Sequence, residues 1–177
     1  TIHDGQAMIC PSEPKTLEIL REHMRRVHEA FGASAYFMSH DEIRVLNWCD
    51  ACQKRNLTAG QILAENLRQC TQIVREVAPD AAICVWSDMF DPNHNAVKDH
   101  YLVRGDLAGS WDGLDRKVIV AVWYLEKRAE SMKWFADRGN RLLIAGYYDA
   151  PPQQVRDWLT AAQAVKGVTG VMYTTWR

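Results

Sequence analysis

The chain has 177 residues, of which 47% are hydrophobic and 24% charged, and its formal net charge is −1. That length accommodates one domain with a sizeable core, and the near-neutral balance gives no electrostatic case for nucleic acid or an anionic membrane as partner. No apolar run approaches the roughly 20 residues that cross a bilayer.

In chain order, Ala7-Met8-Ile9-Cys10 is a short apolar run that reads as a first strand and ends in Pro11-Ser12. Pro14 suits the first turn of a helix. Leu17, Leu20, Met24, Val27 and Phe31 then recur at spacings of three and four, forming one apolar stripe, and Gly32 ends the helix. Residues 35–38 form the next strand and run into Ser39-His40-Asp41-Glu42. Thr58-Ala59-Gly60-Gln61 reads as a capping box. It opens a helix with Ile62, Leu63, Leu67, Cys70, Ile73, Val74 and Val77 inward, which Pro79-Asp80 breaks.

Residues 81–86 are a strand, followed by a segment from 87 to 117 without clear periodicity. A stretch of that length inside a domain is usually functional or disordered, and its Trp, Tyr, His, Asn and Asp content favours function. Residues 118–123 read as a strand of continuous apolar character, as in a parallel sheet covered on both faces. A helix over about 129–138, a strand at 142–145, a helix opened by Pro151-Pro152 and a last strand at 168–173 complete the alternation. This βαβα order predicts an α/β fold with a parallel sheet and helical crossovers in a single domain spanning 1–177. Without GxGxxG or GxxxxGK[ST], a dinucleotide or P-loop function is unsupported.

Each strand from the second onward ends in polar or aromatic groups. The ends are Asp41-Glu42, Trp86-Ser87-Asp88, Trp123-Tyr124, Tyr147-Tyr148-Asp149 and Trp176. In parallel α/β folds these ends share one face, so the pattern predicts a single aromatic-walled, acid-bearing pocket. Desolvating two carboxylates is costly, which places Asp41 and Glu42 at a strand mouth.

These segments resemble, in order, the catalytic barrel of family 20 glycoside hydrolases, the β-N-acetylhexosaminidases. Phe37-Met38-Ser39-His40-Asp41-Glu42, with Trp48 six residues on, is similar to the family's His-Ile-Gly-Gly-Asp-Glu strand end. Val85-Trp86-Ser87-Asp88-Met89-Phe90-Asp91, Val120-Ala121-Val122-Trp123, Tyr147-Tyr148-Asp149 and the segment from Gly170 to Trp176 resemble the later strand ends. The resemblance implies a partial (β/α)8 TIM barrel of about five to six βα units with helices outside, part of a longer chain. It implies a carbohydrate substrate, an N-acetylhexosaminide, and no cofactor. Glu42 would be the general acid and then base, with a pKa raised by partial burial and a neighbouring charge. Asp41 would orient the substrate's 2-acetamido group, whose oxygen is the nucleophile. Tyr147 would donate to that oxygen, Trp86, Trp123 and Trp176 would wall the sugar, and Asp149 would bind a hydroxyl.

Ser39 and His40 stand where the family has two glycines, which makes His40 a candidate substrate contact, and Phe37 replaces the family's His. The first barrel strands and their sugar-binding Arg have no counterpart here. The barrel is then completed by other segments or by self-association, and this stretch alone is expected to be inactive. No signal peptide is visible, though an extracytoplasmic location accords with the resemblance, and a start at Thr1 says nothing of what precedes it. Two alternatives stand beside hydrolysis: a non-hydrolytic carbohydrate-binding relative, and a metal-dependent hydrolase using Asp88, Asp91, Asn93, His94 and His100. Five cysteines cannot all pair within the chain. Cys49-Asp50-Ala51-Cys52 has CxxC spacing but no second pair to complete a zinc site, so a structural role is expected and no metal site is assigned.

Overall fold

The computed structural model describes residues 2–147 and 150–175. The chain opens with a small hairpin in which β1 (Ile2–His3) pairs antiparallel with β2 (Gln6–Ala7). Asp4 and Gly5 both take positive φ (47° and 73°), the backbone of a tight two-residue hairpin turn. This turn sends Ala7 back onto Ile2, so of the apolar run 7–10 only Ala7 is in a strand, and it belongs to the hairpin and not to the main sheet. Ile9 is 65% exposed, and Cys10 alone of that run is buried.

Helix α1 (Pro14–Phe31) begins with Pro14 in its first turn and ends at Gly32 in the left-handed region (φ 53°). Met24 is buried, and Leu17 and Leu20 pack against the core. After β3 (Ala35–Phe37), the short β4 (Val45–Leu46) and the one-turn α2 (Asp50–Gln53) lead to α3 (Ala59–Val77). The capping box at the start of α3 is complete: the Gln61 N–H donates to Thr58 Oγ1 (3.1 Å), and the Thr58 N–H donates to Gln61 Oε1 (3.0 Å).

Then come β5 (Ala82–Trp86), β6 (Leu102–Val103), β7 (Ile119–Val122), α4 (Arg128–Asp137), β8 (Leu142–Tyr147), α5 (Gln153–Ala162) and β9 (Val168–Thr174). Segment 87–117 is ordered as a succession of turns. It holds 3-10 turns at Asp88–Phe90 and Ser110–Gly113, and β6 pairs in parallel with β4. Fully buried Met89, Phe90 and Leu107 anchor it to the core, which accounts for its composition without periodicity.

The main sheet runs β3-β5-β7-β8-β9, all parallel, each strand beside the preceding strand of that sheet, while β4 and β6 pair separately. That sequential order curls the sheet as a barrel does, giving a half-barrel with helices around it. Strand alternation divides the core. Ile83, Val85, Val120, Val122, Leu142 and Ile144 belong to the large core that includes helix residues such as Leu67, Phe135 and Trp158. Cys84, Trp86, Ala121 and Ala145 form a second cluster on the opposite, concave face, with Trp123, Leu143 and Met172 against it.

Candidate active site

The concave face decides which side chains meet. Trp86 ends β5, Trp123 follows β7 by one residue and Tyr147 ends β8, and all three have the parity of the concave cluster. With Asp41, Glu42 and Thr174 they line a cavity of about 290 Å³ at the C-terminal ends of the strands. The structure thus brings together Asp41, Glu42, Trp86, Trp123 and Tyr147. The expected contacts Asp149 and Trp176 lie outside the described residues. Thr174 joins the lining without having been singled out from the sequence.

The acidic pair is not on a strand. It sits in the loop after β3, where Ser39 (φ 57°), His40 (φ 64°) and Glu42 (φ 44°) all occupy the left-handed region. A Cβ in that region costs roughly 1–2 kcal/mol, which is why glycine suits positions 39 and 40. His40 nevertheless does not narrow the cavity, because its ring turns away from it. Its Nδ1 lies 2.9 Å from the Met38 carbonyl oxygen and its Nε2 3.2 Å from Asn66 Oδ1 on α3. Burial lowers the His40 pKa, opposed by these two contacts and by the charge of Asp41.

Glu42 differs from the expected half-buried acid. Its side chain is 53% exposed and forms an ion pair with Arg44 (2.8 Å). The enclosed carboxyl is instead Asp88, with no exposed surface, at the end of the Trp86-Ser87-Asp88 segment. Its Oδ2 accepts the backbone N–H of Glu42 (2.9 Å) and the Asn95 amide (3.0 Å), and its Oδ1 accepts the Trp123 indole N–H (3.4 Å). Burial pushes the Asp88 carboxyl up to about 6, helped by the charge of Asp41 and opposed by these hydrogen bonds. Asp88 therefore ties the acidic loop to one aromatic wall. Its place after a strand was legible, but its burial depends on Glu42 and Asn95, which only the fold brings to it.

The 88–100 segment is structured around aromatic rings. His94 stacks on Tyr124 (4.1 Å, 17°) and meets Trp123 edge-on (4.6 Å). Burial and the nearby His100 push His94 down to about 4. Asp91 Oδ1 accepts the Asn93 backbone N–H (2.8 Å) and its side-chain amide (3.1 Å). Among the described residues, this segment does not gather three metal-ligating side chains around one point, whereas Cys10, Cys49 and Cys52 do.

No protein-family model matches the sequence, and no curated protein sequence matches it. Solved structures match its fold. A family 20 exo-β-N-acetylglucosaminidase from Vibrio harveyi, crystallised as an inactive mutant, aligns with a TM-score of 0.57 and 14% identity over 83% of this chain and 21% of that one. A chitobiase from Flavobacterium johnsoniae aligns with a TM-score of 0.57 and 15% identity over 96% of this chain and 27% of that one. The fold is distantly like that of family 20 glycoside hydrolases. A sugar phosphate isomerase/epimerase from Parabacteroides distasonis is also similar, with a TM-score of 0.53 and 11% identity over 97% of this chain and 61% of that one. Identities this low speak for the fold alone, and the chain spans about a fifth to a quarter of the length of the two glycosidases.

Proposed function

We propose that residues 1–177 form the larger part of one glycoside hydrolase-like domain, and that its cavity, once the barrel is completed, receives a terminal N-acetylhexosamine and cleaves its β-glycosidic bond by substrate-assisted catalysis. The observation that carries this reading is the convergence of Asp41, Glu42, Trp86, Trp123 and Tyr147, from four successive strand ends, on one cavity of about 290 Å³. That volume is at the small end of ligand sites, about 300–1,000 Å³, and suits one sugar ring better than an oligosaccharide. In this reading the Glu42 carboxyl gives its proton to the glycosidic oxygen as the bond to C1 breaks. The substrate's acetamido oxygen forms the new bond to C1, and Asp41 accepts the acetamido N–H as that group becomes cationic. Tyr147 donates its hydroxyl to the same oxygen, while Trp86 and Trp123 hold the ring and the acetyl methyl. Glu42, now a carboxylate, takes a proton from the water that opens the cyclic intermediate. Asp88 is a positioning residue, acting through the Glu42 backbone and the Trp123 indole. Among the described residues the lining carries two carboxylates and no cation, a poor match to a sugar phosphate.

A second reading, sugar binding without turnover, is favoured by the exposure of Glu42 and its ion pair with Arg44. Both are separated by assaying release of aryl alcohol from an aryl N-acetyl-β-glucosaminide by the full-length protein, with binding measured in parallel. Hydrolysis that falls by about 10²–10⁴ in Glu42→Gln, with binding kept, supports catalysis. Binding with no turnover supports the second reading. Turnover indifferent to Glu42→Gln, or neither binding nor turnover, overturns both.

A further inference from the structure

Three cysteines that lie far apart in sequence meet at one point away from the cavity. Cys10 Sγ lies 3.2 Å from Cys49 Sγ and 3.6 Å from Cys52 Sγ, and all three sulfurs fall within 4.8 Å of one another. None is in a disulfide. Cys10 and Cys52 are buried and Cys49 is half-buried. We propose that Cys10, Cys49 and Cys52 bind one zinc ion through three thiolates, with water as the fourth ligand.

Three observations carry the assignment. The first is spacing. Tetrahedral zinc with Zn–S bonds near 2.3 Å sets its sulfurs about 3.8 Å apart, and Cys10 Sγ already stands 3.2 and 3.6 Å from the other two, within a few tenths of an ångström of that spacing. A disulfide would join two sulfurs at about 2.05 Å and leave the third thiol buried against the bond, so a shared cation is the arrangement that uses all three. The second is local structure. Cys49 caps α2 and Cys52 lies within it, so the CxxC presents both sulfurs on one side of a single helical turn. A four-residue helix has little stability of its own, and a cation fastening it to Cys10 supplies what it lacks. The third is the surrounding polar groups. Ser12 Oγ lies 3.2 Å from Cys52 Sγ and accepts an N–H from Arg55 Nη1 (3.2 Å), and Arg55 is ion-paired with Glu65. The hydroxyl can donate its proton to the Cys52 thiolate, while Arg55 places a positive charge beside a centre whose net charge is −1.

Each of the three thiols gives up its proton when its sulfur binds a cation. Zinc replaces those protons, which pass to solvent, and no oxidant or reductant is needed. Soft thiolate donors favour zinc over the hard cations that carboxylates hold. The site would staple the chain ahead of α1 to the α2 turn, which follows β4 and the acidic loop. It stands independently of the proposed hydrolase function.

The test is cobalt titration of the reduced 177-residue protein, followed by competition with zinc. The expected result is thiolate-to-cobalt charge-transfer absorption saturating at one equivalent and abolished by zinc. It should be lost in Cys10→Ser and Cys52→Ser and kept in Cys70→Ser and Cys84→Ser. Absence of that absorption from the folded, reduced wild-type protein would overturn the proposal. So would an unchanged spectrum in Cys10→Ser with Cys52→Ser, or a mapped disulfide between Cys10 and either partner in freshly isolated protein.

Discussion

Asp88 has no exposed surface, yet it receives three donors from three different segments. Because its carboxyl rises from 3.8 to about 6 in the folded protein, the folded state holds the proton more tightly than the unfolded state. Its contribution to stability is greatest below the unfolded value and is lost as pH rises from about 4 to 6, a difference of about 3 kcal/mol. His94 works the other way. With its pKa lowered to about 4, it contributes stability above the unfolded value that is lost as pH falls through the same window. The two partly offset each other, so Asp88→Asn should make stability fall more steeply on acidification than in the wild type. Urea midpoints measured across about pH 4 to 6.5 check this, and parallel profiles for the two proteins would contradict it. Ser39 gives a second residue-level expectation. Its side chain is exposed and its φ is 57°, so Ser39→Gly should stabilise the fold by about 0.5–1 kcal/mol by relieving left-handed strain, a gain visible in thermal unfolding. The sequence showed that Ser39 and His40 stand where the resembling family keeps glycine. It did not show that the His40 ring turns toward Asn66, because that depends on α3 passing beside the loop.

At the level of elements, local chemistry was readable where it was self-contained. The Thr58–Gln61 box, Pro14 at the start of α1 and Gly32 at its end all act within one turn of chain. Thr58→Ala should cost about 1 kcal/mol of stability in chemical denaturation. What depends on a distant partner was not readable. Gly60 lies in the first turn of α3, where alanine would ordinarily favour the helix. A Cβ there would stand 2.1 Å from the Ala108 carbonyl oxygen, and one at Gly113 would stand 2.4 Å from the Ala64 carbonyl oxygen. Through these glycines α3 packs against the 87–117 segment at backbone contact. Gly60→Ala should therefore destabilise by about 2 kcal/mol or more despite the gain in helix propensity, as a lowered melting temperature would show. The same limit applied to residues 7–10. Their apolar character suggested a strand, but the Asp4-Gly5 turn pairs Ala7 with Ile2 instead. It applied as well to Cys10, whose place beside the CxxC pair needs contacts that span 39 and 42 residues.

For the whole molecule, the βα alternation predicted parallel strands, and the sequential order β3-β5-β7-β8-β9 makes them half of a barrel rather than a doubly wound sheet. That order places the strand ends of one parity around a single cavity, as the repeated aromatic and acidic ends suggested. Whether that cavity accepts one N-acetylhexosamine is tested most directly by calorimetry of the full-length protein with N-acetylglucosamine and with glucose. Binding of N-acetylglucosamine that is weakened in Trp123→Ala, with glucose bound at least about tenfold more weakly, is the predicted result. No binding of either sugar, or equal affinity for both, would contradict it.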